Sequence, residues 1–384
     1  MTPRNPSSDV ETPARVAALD PQGQALVRRL LAVAVRGLPL MYLPGADEFA
    51  FTRAGSERHL ELRGTSYRYA AIVALGAHFL PEAEQRAVLG GHTADAFTDL
   101  LVRRLPETTN LGDAALVAWA AAQAGRPGLD EALRRAGELD DAQPRQYVVE
   151  TSWLVSALAT ARGAADVEQR LARARGRLLG SRQGAGPLFP HGTDRGMLPW
   201  YRSHVGCFAD QVYPIQALAR LHASGDDPEA LAAARACAER ITSLQGAEGE
   251  FWWHYDARTG GLVEEFPVYS VHQHAMAPTA LLDLAEVSGD DVLPSVRRGL
   301  SWLERPGAEP MIADELGMVW RKVYRGDPKK LARAINGVST RLAPGVRPVR
   351  RPAHPTAVDR ECRPYEFGWL LFAWLGAVRP GGAR

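Results

Sequence analysis

The run CFADQVYPIQALARLHASGDDPEALAAARACAERITSL, Cys207–Leu244, decides the fold. Its first half opens on Asp210, Gln211 and Tyr213 and then turns small and apolar nearly all round. That is the composition of a helix enclosed by other helices. After Gly225 come Asp227 and Pro228, a helix-start signal, and the second half is apolar on one face and charged on the other. An enclosed helix followed by an amphipathic one is a hairpin with an inside and an outside.

The pattern recurs. Enclosed helices are read in TSYRYAAIVALGAHFL from Thr65, NLGDAALVAWAAAQAG from Asn110 and YVVETSWLVSALATARG from Tyr147. Two more are YSVHQHAMAPTALLDLAEVSG from Tyr269 and RPYEFGWLLFAWLG from Arg363, which makes six. Amphipathic partners include DVEQRLARARGRLL from Asp166 and DDVLPSVRRGLSWLE from Asp290, and Gly125, Gly163, Gly225 and Gly289 stand where helix C-caps are expected. Inner starts near residues 149, 209 and 272 give a degenerate repeat of roughly 60 residues. The sixth inner helix has no partner after it, whereas DPQGQALVRRLLAVAVRG from Asp20 is amphipathic with no inner helix before it. Residues 21–36 packed beside 363–378 would close a ring. The predicted fold is all-α, an (α/α)6 toroid of six helical hairpins, with an open solenoid of stacked pairs as the alternative.

Composition bounds the function. Of 384 residues, 46% are hydrophobic and 23% charged, enough for a sizeable core. Basic residues number 45 against 44 acidic, so net charge gives no reason to expect nucleic-acid binding. Residues 1–18 read as a disordered lead-in without the apolar core of a signal peptide, and 19–384 as a single toroid domain. No run approaches the roughly 18 apolar residues of a membrane span. Cys207, Cys237 and Cys362 are far apart with no CxxC spacing, which predicts neither disulfides nor a structural zinc and suggests a reducing, cytoplasmic setting. One insertion interrupts the ring at about 321–360. From Arg321 to Arg351 it holds ten Lys or Arg against one acid, Asp327, and runs on through PGVRPVRRPAHP. It reads as a solvated basic face or as a lid that recognises an anionic group such as a uronate or diphosphate.

Two helix-to-helix turns look alike, LLGSRQGAGPLFPHG and ITSLQGAEGEFWWHYD. Gln183, Gly186 and Phe189 in one, and Gln245, Gly249 and Trp252 in the other, resemble the glutamine–tryptophan repeat of squalene cyclase and prenyltransferase toroids. There the Gln caps a helix end and stacks by the aromatic of the next turn. The overall layout is similar to the six-hairpin glycosidases and their relatives among polysaccharide lyases and sugar epimerases. That resemblance implies a substrate funnel at the N-terminal ends of the inner helices. Fold alone does not choose the chemistry.

The first turns of the inner helices supply Tyr67, Arg68, Asp113, Glu150, Trp153, Asp210, Gln211, Tyr213, Tyr269, His272, Gln273, His274, Tyr365 and Glu366. The loops before them add His191, Asp194, Trp200, Tyr201, His204, Trp252, Trp253, His254, Tyr255 and Asp256. The richest stretch, GEFWWHYDARTGGLVEEFPVYSVHQH from Gly249 to His274, is expected to be a loop on the functional rim. Individually each residue has an ordinary explanation. Asp113 and Asp210 suit a helix start, while Trp153, Tyr213, Tyr365 and Trp369 suit a core. Six polar or aromatic first turns together are not what packing alone selects.

Aromatic faces cover sugar rings or carbocations, and carboxylates and His bind hydroxyls or move protons. Hydrolysis needs two carboxylates, for which Asp210, Glu150 and Asp256 are candidates. Lyase or epimerase chemistry would use His254, Tyr255, His272 and Arg68. Asp210 and His272, first turns of consecutive hairpins, are expected to face each other as a proton-transfer pair, with His254, Tyr255 and Asp256 at the mouth. His272 and His274 are two apart and cannot easily share one metal, so no metal or cofactor is expected. Terpene cyclisation in an aromatic cavity is the competing enzyme class. It lacks a DxDD motif, for which ELDDAQ at 138–143 is no substitute, and Cys362 in DRECRP has the wrong spacing for a prenyltransferase zinc set. A non-catalytic binding toroid is the third reading. A funnel of hydrogen-bonding groups favours an oligosaccharide or other small polyol, within cell-surface polysaccharide or glycoconjugate synthesis.

Overall fold

The computed structural model describes residues 12–56, 59–184, 186–304, 309–324, 331–349 and 357–378. It opens with a single turn, α1 (Ala14–Ala17), and the outer helix α2 (Pro21–Gly37). Inner helix α3 (Tyr67–Ala77) returns through α4 (Glu82–Val88) to outer α5 (Ala94–Arg104). Then come the inner–outer pairs α6 (Leu111–Ala124) and α7 (Leu129–Ala142), α8 (Val148–Ala161) and α9 (Glu168–Gly180), and α10 (Ala209–Gly225) and α11 (Pro228–Ser243). A π-helical turn over His272–Met276 runs into inner α12 (Ala277–Ser288), partnered by α13 (Leu293–Leu300). After α14 (Leu331–Leu342) the last inner helix is α15 (Pro364–Leu375).

The inner helices contact one another in the closed order α3, α6, α8, α10, α12, α15 and back to α3. Helix α2 packs on α15, with Gly37 so close to Phe367 that a Cβ there would lie 2.6 Å from its ring. The fold is an (α/α)6 toroid. Sequence punctuation explains the turns. Asp20, Asn110 and Asp227 accept the backbone N–H of Gly23, Asp113 and Ala230 at their helix starts. Gly125 and Gly289 take the left-handed C-cap conformation as expected, but Asp226 takes it in place of Gly225. Pro278 has no N–H to give the turn before it. The His274 carbonyl instead accepts from the Trp374 indole of the neighbouring inner helix, α15.

The lower half of the inner ring is filled. Phe372 meets Trp119 and Trp369 edge-on at 5.3 and 5.6 Å, the two indoles lie tilted at 6.0 Å, and the Arg220 guanidinium lies over Trp119 and Phe372. Arg220 also pairs with the fully buried Asp283, which Arg15 reaches at 2.5 Å from α1. Residues 12–18 are therefore not a disordered lead-in: Arg15 is buried, and, against the pull of that burial, Asp283 and Glu286 hold its charge more firmly than usual. Residues 1–11 lie outside the described residues.

Strands are the main departure from the all-helical expectation. β1 (Tyr42–Leu43), β2 (Glu48–Ser56) and β3 (His59–Thr65) form an antiparallel sheet. β4 (Val205–Cys207), β5 (Trp252–Asp256) and β6 (Gly261–Pro267) form a second. Short pairs join β7 (Ile312–Ala313) to β8 (Met318–Val319) and β9 (Lys322–Tyr324) to β10 (Ala357–Asp359), and β11 (Glu361–Cys362) lies on β2. The stretch expected as a loop is thus a β-hairpin. Its aromatic and β-branched residues suit a pleated surface, and Gly260 makes the reversal at φ +69°. The strands before α10, α12 and α15 sit on the N-terminal side of the inner ring, where they wall the funnel. Parts of the basic insertion, 325–330 and 350–356, lie outside the described residues.

Candidate active site

The site is built from inner-helix first turns. Ser66 caps α3, which aims Arg68 at its neighbours in the ring. Arg68 Nε donates to Asp113 at 2.6 Å and Nη2 to Asn110 Oδ1 at 2.7 Å. Nη2 also lies 3.7 Å from Glu150, and the guanidinium covers Trp153 at 5.2 Å. Asn110 Nδ2 donates to Glu150 at 3.2 Å. Asp113 and Glu150, the third residues of α6 and α8, therefore share one guanidinium.

At α10, Asp210 is fully buried and accepts from the Cys207 backbone N–H at 2.6 Å and from His191 Nδ1 at 2.9 Å. The carboxylate hydrogen bond raises the His191 pKa above its usual value. His191 is half-exposed and packs against Tyr147 at 4.9 Å. Burial, with Asp210 alongside, pushes the Cys207 thiol well up, so it stays protonated.

On the far side, Tyr69 and Tyr365 pack at 4.6 Å with their rings tilted, and Arg363 donates to the Tyr69 hydroxyl. Glu366 is the third residue of α15. One of its oxygens accepts from the Arg363 N–H at 3.3 Å, and the other, Oε1, is buried without a partner. Burial pushes its pKa up to about 8, against the pull of Arg321 and Arg363, so Glu366 is mostly a neutral acid at pH 7. His272 Nδ1 lies 3.0 Å from the Ser270 hydroxyl, and its ring packs on Trp253 at 5.0 Å. Burial and nearby Arg321 hold its pKa down to about 3. In the ring order α8 and α15 are diametrically opposed, so Glu150 and Glu366, equally deep in their helices, stand on opposite sides of the axis. Trp153, Tyr213 and Trp369, in contact at 5.1 and 5.6 Å, make an aromatic floor.

Several expected site residues are placed elsewhere. Asp210 is paired with His191 and not with His272, because β4 brings the His191 loop over the start of α10. Tyr255 is fully buried, its hydroxyl accepting from Trp252 N–H. Asp256 is buried and takes three hydrogen bonds from Arg258, which orders the hairpin turn. His254 is buried on Glu264, and His204 is buried on Thr340 of α14. Gln211 holds the backbone of Phe189, and Gln273 holds that of Phe251 and of Gly299 in α13. Tyr67 donates to Leu101 O, away from the axis, Tyr269 stacks on Trp302 at 5.3 Å, and Trp252 donates to Leu244 O. Trp200 is exposed at the rim.

Sequence reasoning missed Asn110, Tyr69, Tyr147, Arg363 and the inward role of Arg321. Asn110 is readable as an N-cap, but its second task, holding Glu150, is tertiary. Among the described residues, His191, Cys207 and Asp210 bring ligand atoms within 4.8 Å of one another. Among the described residues theirs is the one cluster of such ligand atoms, whereas no metal site was expected.

No protein-family model matches the chain, and no curated protein matches it by sequence. Solved structures do match in fold. The unsaturated glucuronyl hydrolase from Bacillus sp. GL1, responsible for the degradation of glycosaminoglycan, superposes with a TM-score of 0.59 at 14% identity over 94% of this chain and 100% of that one. An unsaturated glucuronyl hydrolase specific for heparin gives 0.61 at 11% over 91% and 95%. A sugar epimerase from a ruminal bacterium gives 0.56 at 12% over 91% and 98%. At these identities the likeness is one of fold.

Proposed function

We propose that the protein is a carbohydrate-active enzyme of the glycoside hydrolase type, acting on an oligosaccharide or glycoconjugate that enters the funnel. The observation that carries this reading is the pair Glu150 and Glu366: two carboxyl groups on opposite sides of the axis, one ion-paired with Arg68 and the other kept neutral by burial. Glu366 donates its proton to the leaving oxygen, and Glu150 serves as the ionised partner that activates water or stabilises positive charge at the sugar. The Tyr69–Tyr365 pair offers ring faces to pyranoses above the Trp153–Tyr213 floor, and the His191 imidazole binds a hydroxyl or carboxylate. The charged rim fits a polyol better than a hydrocarbon, which sets aside the terpene reading. The fold shared with glucuronyl hydrolases makes a uronate-capped oligosaccharide the first substrate to try.

The test is release of reducing ends from unsaturated-uronate and neutral oligosaccharides by the intact protein. Glu366→Gln and Glu150→Gln should each lower kcat by about 10²–10⁴-fold, with thermal stability changed by no more than about 1–2 kcal/mol. Wild-type kcat should fall as pH rises through about 8, where Glu366 loses its proton. Two folded variants with full activity would end this assignment.

A further inference from the structure

Three ligand-type side chains meet at the start of α10, brought there by a loop, a strand and a helix. His191 lies in the loop after α9, Cys207 ends β4, and Asp210 belongs to the first turn of α10. Gly206 lets the strand and the loop approach. A Cβ at that position would lie 2.0 Å from the carbonyl oxygen of Phe189, so any larger residue would push β4 away. The His191 N–H donates to Val205 O at 3.2 Å, and the His191 carbonyl accepts from Val148 N–H at 3.0 Å. The Cys207 N–H holds the Asp210 carboxylate at 2.6 Å, and Gln211 clamps Phe189 from the next residue. One ligand atom from each of His191, Cys207 and Asp210 then lies within 4.8 Å of the others. Between His191 and Asp210 the atoms in contact are Nδ1 and the carboxylate, at 2.9 Å.

The scaffold does not require this triple. Aligned on the clamp glutamines Gln211 and Gln273, the next hairpin carries Trp253, Tyr269 and His272 at the same positions. Around a tetrahedral zinc ion, bonds of about 2.0–2.3 Å put ligand atoms about 3.3–3.6 Å apart. The imidazole has to back away from Asp210 by about half an ångström, and the sulfur to close by about 1 Å at most. His191 is half-exposed and has room for that shift. Thiolate, imidazole and carboxylate together suit zinc, whereas magnesium and calcium take oxygen ligands. One thiolate and one carboxylate also balance the two charges of the ion. We infer that His191, Cys207 and Asp210 form a mononuclear zinc site whose fourth position opens on the funnel. Binding releases the Cys207 thiol proton and the His191 Nδ1 proton to solvent, and Nε2 keeps its hydrogen. The metal-free protein keeps the His191–Asp210 pair in the same place. Three protein ligands and an open position can hold a water or a substrate oxygen. The inference rests on the ligand set and not on the reaction proposed above.

The experiment strips the full chain with a chelator and titrates it with zinc against a chromophoric chelator, and in parallel with cobalt(II) as a spectroscopic probe. Wild type should take up one equivalent of either metal. Its cobalt form should show a thiolate-to-metal band in the near ultraviolet and tetrahedral d–d bands in the visible. Cys207→Ser should abolish the thiolate band and weaken binding at least about tenfold, the loss that even a supporting partner causes. His191→Ala removes a half-exposed side chain, so it should fold as wild type does and lose at least as much affinity. Cys237→Ser, whose sulfur lies on Gln211 Oε1 outside the set, should keep both stoichiometry and band. Zinc should raise the melting temperature of wild type and of Cys237→Ser but not of Cys207→Ser. No stoichiometric uptake by the wild type, a cobalt spectrum without the thiolate band, or binding that survives both Cys207→Ser and His191→Ala overturns the inference.

Discussion

The loops that lead into α10 and α12 are the same device holding different chemistry. In the first, Gln211 exchanges two hydrogen bonds with the backbone of Phe189, 22 residues earlier. In the second, Gln273 accepts from Phe251 N–H, also 22 residues earlier, and donates to the carbonyls of Gly249 and Gly299. Phe208 and Phe251 pack together at 5.0 Å where the loops meet. Two residues after each clamped Phe the loops part company. The first presents His191, ion-paired with Asp210; the second presents Trp253, packed on His272. Position for position, an ionic pair in one hairpin is replaced by an aromatic contact in the next. The scaffold is repeated and the reactive groups are not, so the funnel is asymmetric and can hold a substrate in one orientation.

The largest effect should come from breaking the shared part. Gln211→Ala and Gln273→Ala each strip buried backbone groups of their partners and should each cost about 2–4 kcal/mol in denaturant unfolding. If one is nearly silent, the two loops are not the same device. The unshared part should behave in the opposite way. Asp210→Asn and His191→Ala should reduce turnover by at least about tenfold, whereas Tyr255→Phe, which removes one buried hydrogen bond in the second loop, should leave turnover intact and cost about 1 kcal/mol. Loss of activity in Tyr255→Phe would return the hairpin to the reaction.

A further contrast is the pH dependence of stability. Glu366 and His191 both have raised pKa values in the folded state, so the native protein binds more protons than the unfolded chain and stability falls as pH rises. For Glu366 the stability is full below 4.5 and is lost between 4.5 and about 8. For His191 it is full below 6.5 and is lost as pH rises through the raised value. Melting curves of Glu366→Gln should therefore flatten over the first window and those of Asp210→Asn above 6.5. Identical profiles in all three proteins would mean that neither group carries the linkage.

The sequence was most informative where burial is periodic. Helices apolar all round were enclosed, and amphipathic ones were outer. First-turn acids Asp113, Glu150 and Glu366 were legible because a carboxylate interrupts an apolar run at the same depth in each helix. The stretch from Gly249 to His274 misled because its composition suits a binding rim and a β-sheet equally. Strand pairing of Cys207 with His254 and Gly206 with Tyr255 decided which side chains turn inward, and pairing partners 47 residues and more apart in the chain leave no local signal. The same holds for Arg321 and His191, whose partners are set by how the ring closes.

That closure has a consequence for biosynthesis. Arg15 in α1 reaches Asp283, Glu286 and the carbonyl of Ala373, and α2 leans on α15. The first-made outer helix therefore waits for the last inner helix to leave the ribosome, with the Leu26, Val27, Leu30 and Val33 face unburied until then. Such long-range docking is slow and exposes apolar surface to aggregation. A circular permutant that joins the two ends and opens the Asp226–Asp227 turn would make α15 and α2 neighbours in sequence, and it should refold faster and with higher yield than the natural order.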